Sequence, residues 1–236
     1  MPNKAKKKLR LAVNGNQHQQ GVKLHQIYPI TKAQQKVFES FYKSHLLLHG
    51  IAGTGKTFVS LYLALKEVLE HKAFKRIAIV RSCVPTRDIG FMPGTLEEKL
   101  SVYEQPYREI INCLTQRVDG YDILKEAGIV EFMSTSFIRG LTLDNTVILV
   151  DEIQNMTFGE LDSVITRVGD YSKIIFCGDY RQTDLQSTKD KSGLKDFMKI
   201  LNTVADVDYI EFLVDDIVRS GFVKKYIIAK TELGFG

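Results

Sequence analysis

Short apolar runs recur along the chain at 45–49, 76–81, 130–135, 146–151, 173–179 and 208–213, and longer amphipathic stretches separate them. The run within 76–81 is continuously branched and apolar, which fits a strand covered on both faces, the habit of parallel sheets, and the others read as further strands. Between them, Thr31 can cap a helix over 32–42 with Val37, Phe38 and Phe41 on one face, and a second helix is predicted over 58–68. Thr95 and Glu98 form a capping-box pattern for a helix opening at 96. Pro106 is expected to break or kink that helical region, which resumes over 107–117. Further helices are predicted over 158–168 and 193–204, and a last one follows 215–220. Strand and helix alternate throughout, so the expected architecture is one α/β domain with a mostly parallel sheet and helices on both faces.

Composition adds little until charge is located. The 236 residues are 44% hydrophobic, enough for a substantial core, and the formal charge is +4. Lys4, Lys6, Lys7, Lys8 and Arg10 carry five positive charges within ten residues, and removing those five from +4 leaves the rest at −1. The basicity therefore belongs to a polar tail, residues 1–24, expected to be disordered, with the domain over 25–236. Such a tail can hold phosphate backbones, or serve only as a solvated terminus. No apolar run is long enough to cross a bilayer, and the first ten residues have no signal-type core, so a cytoplasmic protein without membrane contact is expected. Cys83, Cys113 and Cys177 are too few and too scattered for a disulfide framework or a zinc cluster.

The chemistry centres on Gly50-Ile51-Ala52-Gly53-Thr54-Gly55-Lys56-Thr57, which fills the phosphate-cradling pattern G-x-x-x-x-G-K-[ST] between a predicted strand and a predicted helix. The glycines allow successive N–H groups to converge on an anion, and the helix adds its positive end. Lys56 is placed to reach the β and γ phosphates of ATP, and the Thr57 hydroxyl to ligate Mg²⁺. The run 146–150 ends in Asp151-Glu152, which puts two carboxylates at the carboxyl end of a strand, where open α/β sheets bind ligands. Asp151 suits the metal, and Glu152 suits activation of water. Gln182, just beyond the strand over 173–179, can contact the γ phosphate or the lytic water, or simply belong to a polar turn.

A long irregular segment follows the second strand. Arg81, Arg87 and Phe91 combine cations with an aromatic face there, a mixture suited to a single-stranded nucleic acid, although a lid with Phe91 in the core has the same composition. A glutamine at the head of the first helix can bond an adenine edge, since an amide donates and accepts together.

Taken together these motifs resemble the PhoH family of P-loop ATPases, itself similar to the nucleotide-binding core of superfamily-one helicases. The segment Gly90-Phe91-Met92-Pro93-Gly94-Thr95-Leu96-Glu97-Glu98-Lys99 resembles the family's G-F-L-P-G-x-x-x-E-K, and Asp151-Glu152-Ile153-Gln154-Asn155 its D-E-A-Q-N. Gly178-Asp179-Tyr180-Arg181-Gln182-Thr183-Asp184-Leu185 resembles G-D-x-x-Q-x-D-L, and Ile217-Val218-Arg219 resembles V-V-R. The family's asparagine-glutamine-lysine falls on Gln34-Gln35-Lys36, which implies Gln35 as the adenine contact. Arg81-Ser82 replaces an arginine-proline, Arg87-Asp88 a glycine-glutamate, and Arg139-Gly140-Leu141-Thr142 an R-G-R-T segment; these departures bear on substrate contacts more than on hydrolysis.

The resemblance implies a single RecA-like domain that hydrolyses ATP with Mg²⁺, coupled to single-stranded RNA or DNA. A P-loop kinase for a small molecule and a nucleotide-gated binding module are the rival readings. A superfamily-one helicase completes its site with arginine from a second RecA-like domain, and one P-loop in 236 residues suggests that a neighbouring copy supplies it. Arg219 is the candidate, in a homo-oligomer closing head to tail, by analogy a hexameric ring. The alternative for Arg219 is a surface ion pair with Asp215 or Asp216.

Overall fold

A computed structural model of the protein describes residues 22–83, 96–179 and 188–233. Its six strands, β1 (His45–Gly50), β2 (Arg76–Arg81), β3 (Val130–Ser134), β4 (Thr146–Asp151), β5 (Lys173–Gly178) and β6 (Val207–Phe212), form one sheet in the order β3-β2-β4-β5-β1-β6. Every pairing is parallel. The strand of the glycine-rich loop, β1, and the strand of the paired carboxylates, β4, are therefore separated by β5 alone, the RecA-like arrangement.

Side chains of successive strand residues leave opposite faces of the sheet, and the core divides accordingly. Leu46, Leu48, Ile77, Ile79, Val147, Leu149, Ile175 and Cys177 pack on one face, while Leu47, Ala78, Val80, Ile148, Val150, Ile174 and Phe176 pack on the other. Burying each of these leucines contributes roughly 1.5–3 kcal/mol, so loss of either helical layer would expose far more than the domain's net stability. The first face is covered by α1 (Lys32–Ser40), α2 (Lys56–Lys66), α3 (Leu96–Thr115) and α4 (Gly120–Glu126), through Val37, Leu61, Ile111 and Leu124. The second is covered by α5 (Phe158–Ile165) and α6 (Thr188–Leu201), through Leu161, Val164, Leu194 and Phe197. A last helix, α7 (Gly221–Glu232), buries none of its residues.

Three elements differ from the sequence expectation. Helix α3 runs unbroken through Pro106. The hydrogen bond lost at the proline is offset by the buried stripe of Tyr107, Ile111 and Leu114, which needs a continuous helix to face the sheet. Helix α4 is an addition. The docked chain also begins earlier than the composition shift places it, because Val22 is buried and Leu24 packs against the first core cluster. Residues 1–21, with the basic run, lie outside the described residues, as do Thr95, Arg87, Phe91 and Gln182. Among the described residues no helix is long and apolar enough to cross a membrane.

Candidate nucleotide site

The loop between β1 and α2 is held by close backbone contacts. Gly50 has φ 130°, and a Cβ there would lie 2.0 Å from the Phe212 carbonyl oxygen on β6, so only glycine lets the two strands approach. Ile51 N donates to that carbonyl at 3.2 Å, and the Thr54 hydroxyl donates to the Ile51 carbonyl at 2.9 Å. The Lys56 ammonium donates to the carbonyls of Gly50 at 2.7 Å and Ile51 at 3.0 Å, folding the side chain back along the loop. Burial pulls its pKa below the usual lysine range, and the acidic groups of Cys177, Asp179, Asp151 and Glu152 partly restore it.

Across the mouth of the sheet, the Thr57 hydroxyl lies 3.1 Å from Asp151 Oδ1 and 3.3 Å from Oδ2. Burial, and then the neighbouring Glu152 charge, push Asp151 up to about 6, against hydrogen bonds from Tyr107 and Thr57 and the Arg81 charge. Glu152 has φ 56°, a left-handed conformation for a side chain with a Cβ and a local strain of order 1–3 kcal/mol. It turns the chain sharply out of β4. Gln154 fixes the turn: its Nε2 donates to Glu152 Oε2, and its Oε1 accepts from Asp179 N at 3.0 Å. One carboxamide thus joins the ends of β4 and β5.

These groups line a cavity of about 780 Å³ that contains Ala52, Gly53, Gly55, Lys56 and Thr57 on one wall and Asp151, Glu152, Gln154 and Asp179 on another. A converging loop, a helix N-terminus, a buried cation and a hydroxyl bonded to a carboxylate suit a nucleotide triphosphate with a divalent cation.

Of the two glutamines at the head of α1, it is Gln34 that faces this cavity. Its Nε2 donates to the Thr54 carbonyl at 3.1 Å and its Oε1 accepts from Ile30 N at 3.0 Å. Gln35, the expected adenine contact, is exposed and bonded to Glu39 at 2.7 Å, because one residue along a helix turns the side chain through about 100°. Gln34, and not Gln35, is among the residues that line the cavity.

Arg219 lies at the same loop. Val218 N donates to the Gly53 carbonyl at 3.0 Å, and the Arg219 side chain lies so close over this chain's own loop that a Cβ on Gly53 would meet its Cγ at 2.8 Å. Arg219 lines the same cavity as the P-loop of its own chain. Asp216 is otherwise engaged, accepting from Ala33 N at 3.2 Å and Leu213 N at 2.9 Å.

Arg81, grouped by sequence with Arg87 and Phe91, stands beside Asp151 in the β2–β4 register and 5.6 Å from the centre of the Tyr103 ring. Burial opposes its charge, but Tyr107, Glu152 and Asp151 outweigh that and raise its pKa. It too lines the cavity. Tyr107, absent from the sequence candidates, donates from its hydroxyl to Asp151 Oδ2 at 3.0 Å. A tyrosine on the buried face of a helix reads as packing, and only the tertiary contact reveals its polar end.

The PhoH-like protein family profile matches residues 26–230. The chain is 34% identical over 198 residues to a PhoH-like protein of Bacillus subtilis, covering 83% of this chain and 61% of that protein. It is 36% identical over 183 residues to a PhoH-like protein of Synechocystis, covering 76% and 54%, and 33% identical over 196 residues to Protein PhoH of Escherichia coli, covering 82% and 54%. The chain thus spans little more than half the length of the curated relatives it matches. Among solved structures, the large terminase of a thermophilic bacteriophage is similar at a TM-score of 0.49 and 14% identity, over 84% of this chain and 50% of that one. A Bacteroides Pif1 bound to ssDNA is similar at 0.37 and 13%, over 79% and 42%. With the profile spanning nearly all of the described domain, and with the loop, the carboxylates and Arg219 gathered around one cavity, this chain belongs to the PhoH-like protein family.

Proposed function

We propose that the domain binds ATP with Mg²⁺ and hydrolyses it, and that hydrolysis is coupled to a single-stranded nucleic acid. The observation that carries the reading is the contact of Thr57 with Asp151 beside Lys56, which brings a metal-ligating hydroxyl, a carboxylate and a phosphate-binding cation to one point. In this assignment the backbone of residues 50–57 cradles the phosphates, and Lys56 leaves its loop carbonyls for the β and γ phosphates. Thr57 and Asp151 would hold Mg²⁺, which would neutralise phosphate charge. Glu152 orients or deprotonates the attacking water, and Gln34 recognises the base with the N–H and lone pair its own hydrogen bonds leave over. Gln182 reports on the γ phosphate. Arg219 stabilises transferred charge in cis, which removes the need for a neighbour's arginine and with it the reason to require a ring.

Nucleic-acid contact is assigned to Arg87 and Phe91, with the basic tail adding charge. Arg81 is assigned instead to the nucleotide cavity, where its carboxylate neighbours support that role. Phosphate release from Mg·ATP, measured with and without single-stranded RNA or DNA, tests the reading. Stimulation is expected, and should be lost in a protein lacking residues 1–10 and carrying R87A and F91A. Slow, unstimulated hydrolysis would favour a nucleotide-gated binding module, and phosphate appearing on a small acceptor would favour a kinase.

A further inference from the structure

Asp151 receives hydrogen bonds from two directions. Thr57 shares one hydroxyl proton between Oδ1 and Oδ2 at 3.1 and 3.3 Å, whereas Tyr107 places a second donor on Oδ2 alone, at 3.0 Å. The phenol has little freedom. Its ring is 1% exposed, packs with the Phe132 ring at 5.7 Å between centroids, and sits on the same buried stripe of α3 as Ile111 and Leu114. A buried hydroxyl is costly without a partner, and phenylalanine would fill the space as well, so the polar end has its use at the carboxylate.

We propose that Tyr107 is a positioning residue for the metal site: it pins Asp151 through Oδ2 and leaves Oδ1, the oxygen nearer Thr57, turned to the cation. The proposal rests on the Mg·ATP reading above. Its physical content is preorganisation. Without the phenol, Asp151 would keep the Thr57 hydroxyl, which engages the metal, and the charge of Arg81 on the neighbouring strand, a pull without the directionality of a hydrogen bond; against the repulsion of Glu152, a donor from a separate, rigid helix keeps its orientation. Groups that orient a metal ligand typically contribute about 10–100-fold to metal affinity. The same bond ties α3 to the nucleotide cavity, which Pro106 and Tyr107 both line.

The test compares the wild-type protein with Y107F for affinity toward a fluorescent ATP analogue, in EDTA and across a Mg²⁺ titration. For the wild type, Mg²⁺ should tighten binding. For Y107F, affinity in EDTA should stay within about twofold, which reports an intact loop and fold, while the Mg²⁺ needed for half the tightening should rise about tenfold. Phe132→Leu, which loosens the ring but keeps the hydroxyl, should raise the requirement by less, and it provides a reading should Y107F fail to fold. An unchanged or lower Mg²⁺ requirement in Y107F, with the wild type behaving as expected, overturns the role of Tyr107 and leaves the nucleotide reading intact. If the wild type shows no Mg²⁺-dependent tightening at all, the metal-site reading fails and the role of Tyr107 falls with it.

Discussion

Val218 donates its backbone N–H to the carbonyl of Gly53 at 3.0 Å, and this one bond sets the Arg219 side chain beside the loop of its own chain. It fixes the segment after β6 against the P-loop of the same chain, so the next side chain arches over Gly53 rather than outward. A cis role follows. Arg219→Ala should lower turnover on the order of 10³-fold, the scale of an arginine acting on a transferred phosphoryl group. Mixing R219A with Lys56→Ala protein should recover no ATPase activity, because no shared interface joins an intact loop to an intact arginine. Recovery on mixing, with subunit exchange confirmed, would restore the trans role.

Lys56 and Glu152 approach the cavity from opposite strands of the β1–β5–β4 group and should fail differently. Lys56→Ala removes a buried cation from the phosphate wall, so both nucleotide affinity and turnover should be lost. Glu152→Gln keeps the size and the left-handed turn but not the base; binding should persist while turnover drops about 10²–10⁴-fold. Equilibrium binding and single-turnover hydrolysis, measured on each variant, separate the two outcomes. Parent-rate hydrolysis by Glu152→Gln would remove the water-activating role.

The split between Gln34 and Gln35 gives a sharper comparison, since the residues are neighbours in sequence. Gln34→Ala removes a buried bond to the Thr54 carbonyl and the group facing the cavity. Its nucleotide affinity should fall by about tenfold, the equivalent of roughly 1.4 kcal/mol. Gln35→Ala loses one exposed bond to Glu39 and should change affinity by less than about twofold. Equal effects from the two substitutions would contradict the assignment of base recognition to Gln34.

How far the sequence reached depended on the physics of each element. Strands β2 and β4 fall where their apolar runs place them, because both are covered on two faces and their central residues, 77–80 and 147–150, had to be apolar. Helix α4 escaped notice because it has only seven residues and its N-cap makes no side-chain bond, so neither period nor cap signals it. The glycine-rich loop and the Asp151-Glu152 pair were legible because phosphate and metal chemistry demand those residue types at those spacings. The approach of Gln34, Tyr107 and Arg219 to the cavity was not, since each depends on the rotation of a helix or on the path of a loop across the sheet. Gln154 had a faint signal in its place two residues after Glu152, but joining β4 to β5 is a property of their adjacency, which only the sheet order discloses.

One titratable group lies at the opposite end of β5 from the candidate nucleotide cavity. Lys173 opens β5 and is buried, with its ammonium donating to the Ser44 carbonyl and lying 4.8 Å from the centre of the Phe41 ring. Burial lowers its pKa from 10.5 to about 8, and the charges of Asp208 and Glu67 only partly offset this. The folded-state pKa is below the unfolded one, so below about pH 8 the lysine is protonated in both states and the folded protein carries the full penalty. As pH rises from about 8 to 10.5 the folded protein sheds the proton while the unfolded chain still holds it, and stability from this group increases; above 10.5 nothing further is gained. Discounted for solvent screening, the gain should be about 1–2 kcal/mol. Lys173→Met keeps most of the volume and has no proton to lose. Urea denaturation of both proteins at pH 7, 8, 9 and 10 isolates the effect, because all other titrating groups are common to the pair. The wild type should gain on the variant steadily above pH 8, whereas parallel stability profiles would mean that Lys173 titrates normally and that its ammonium is better solvated than its burial implies.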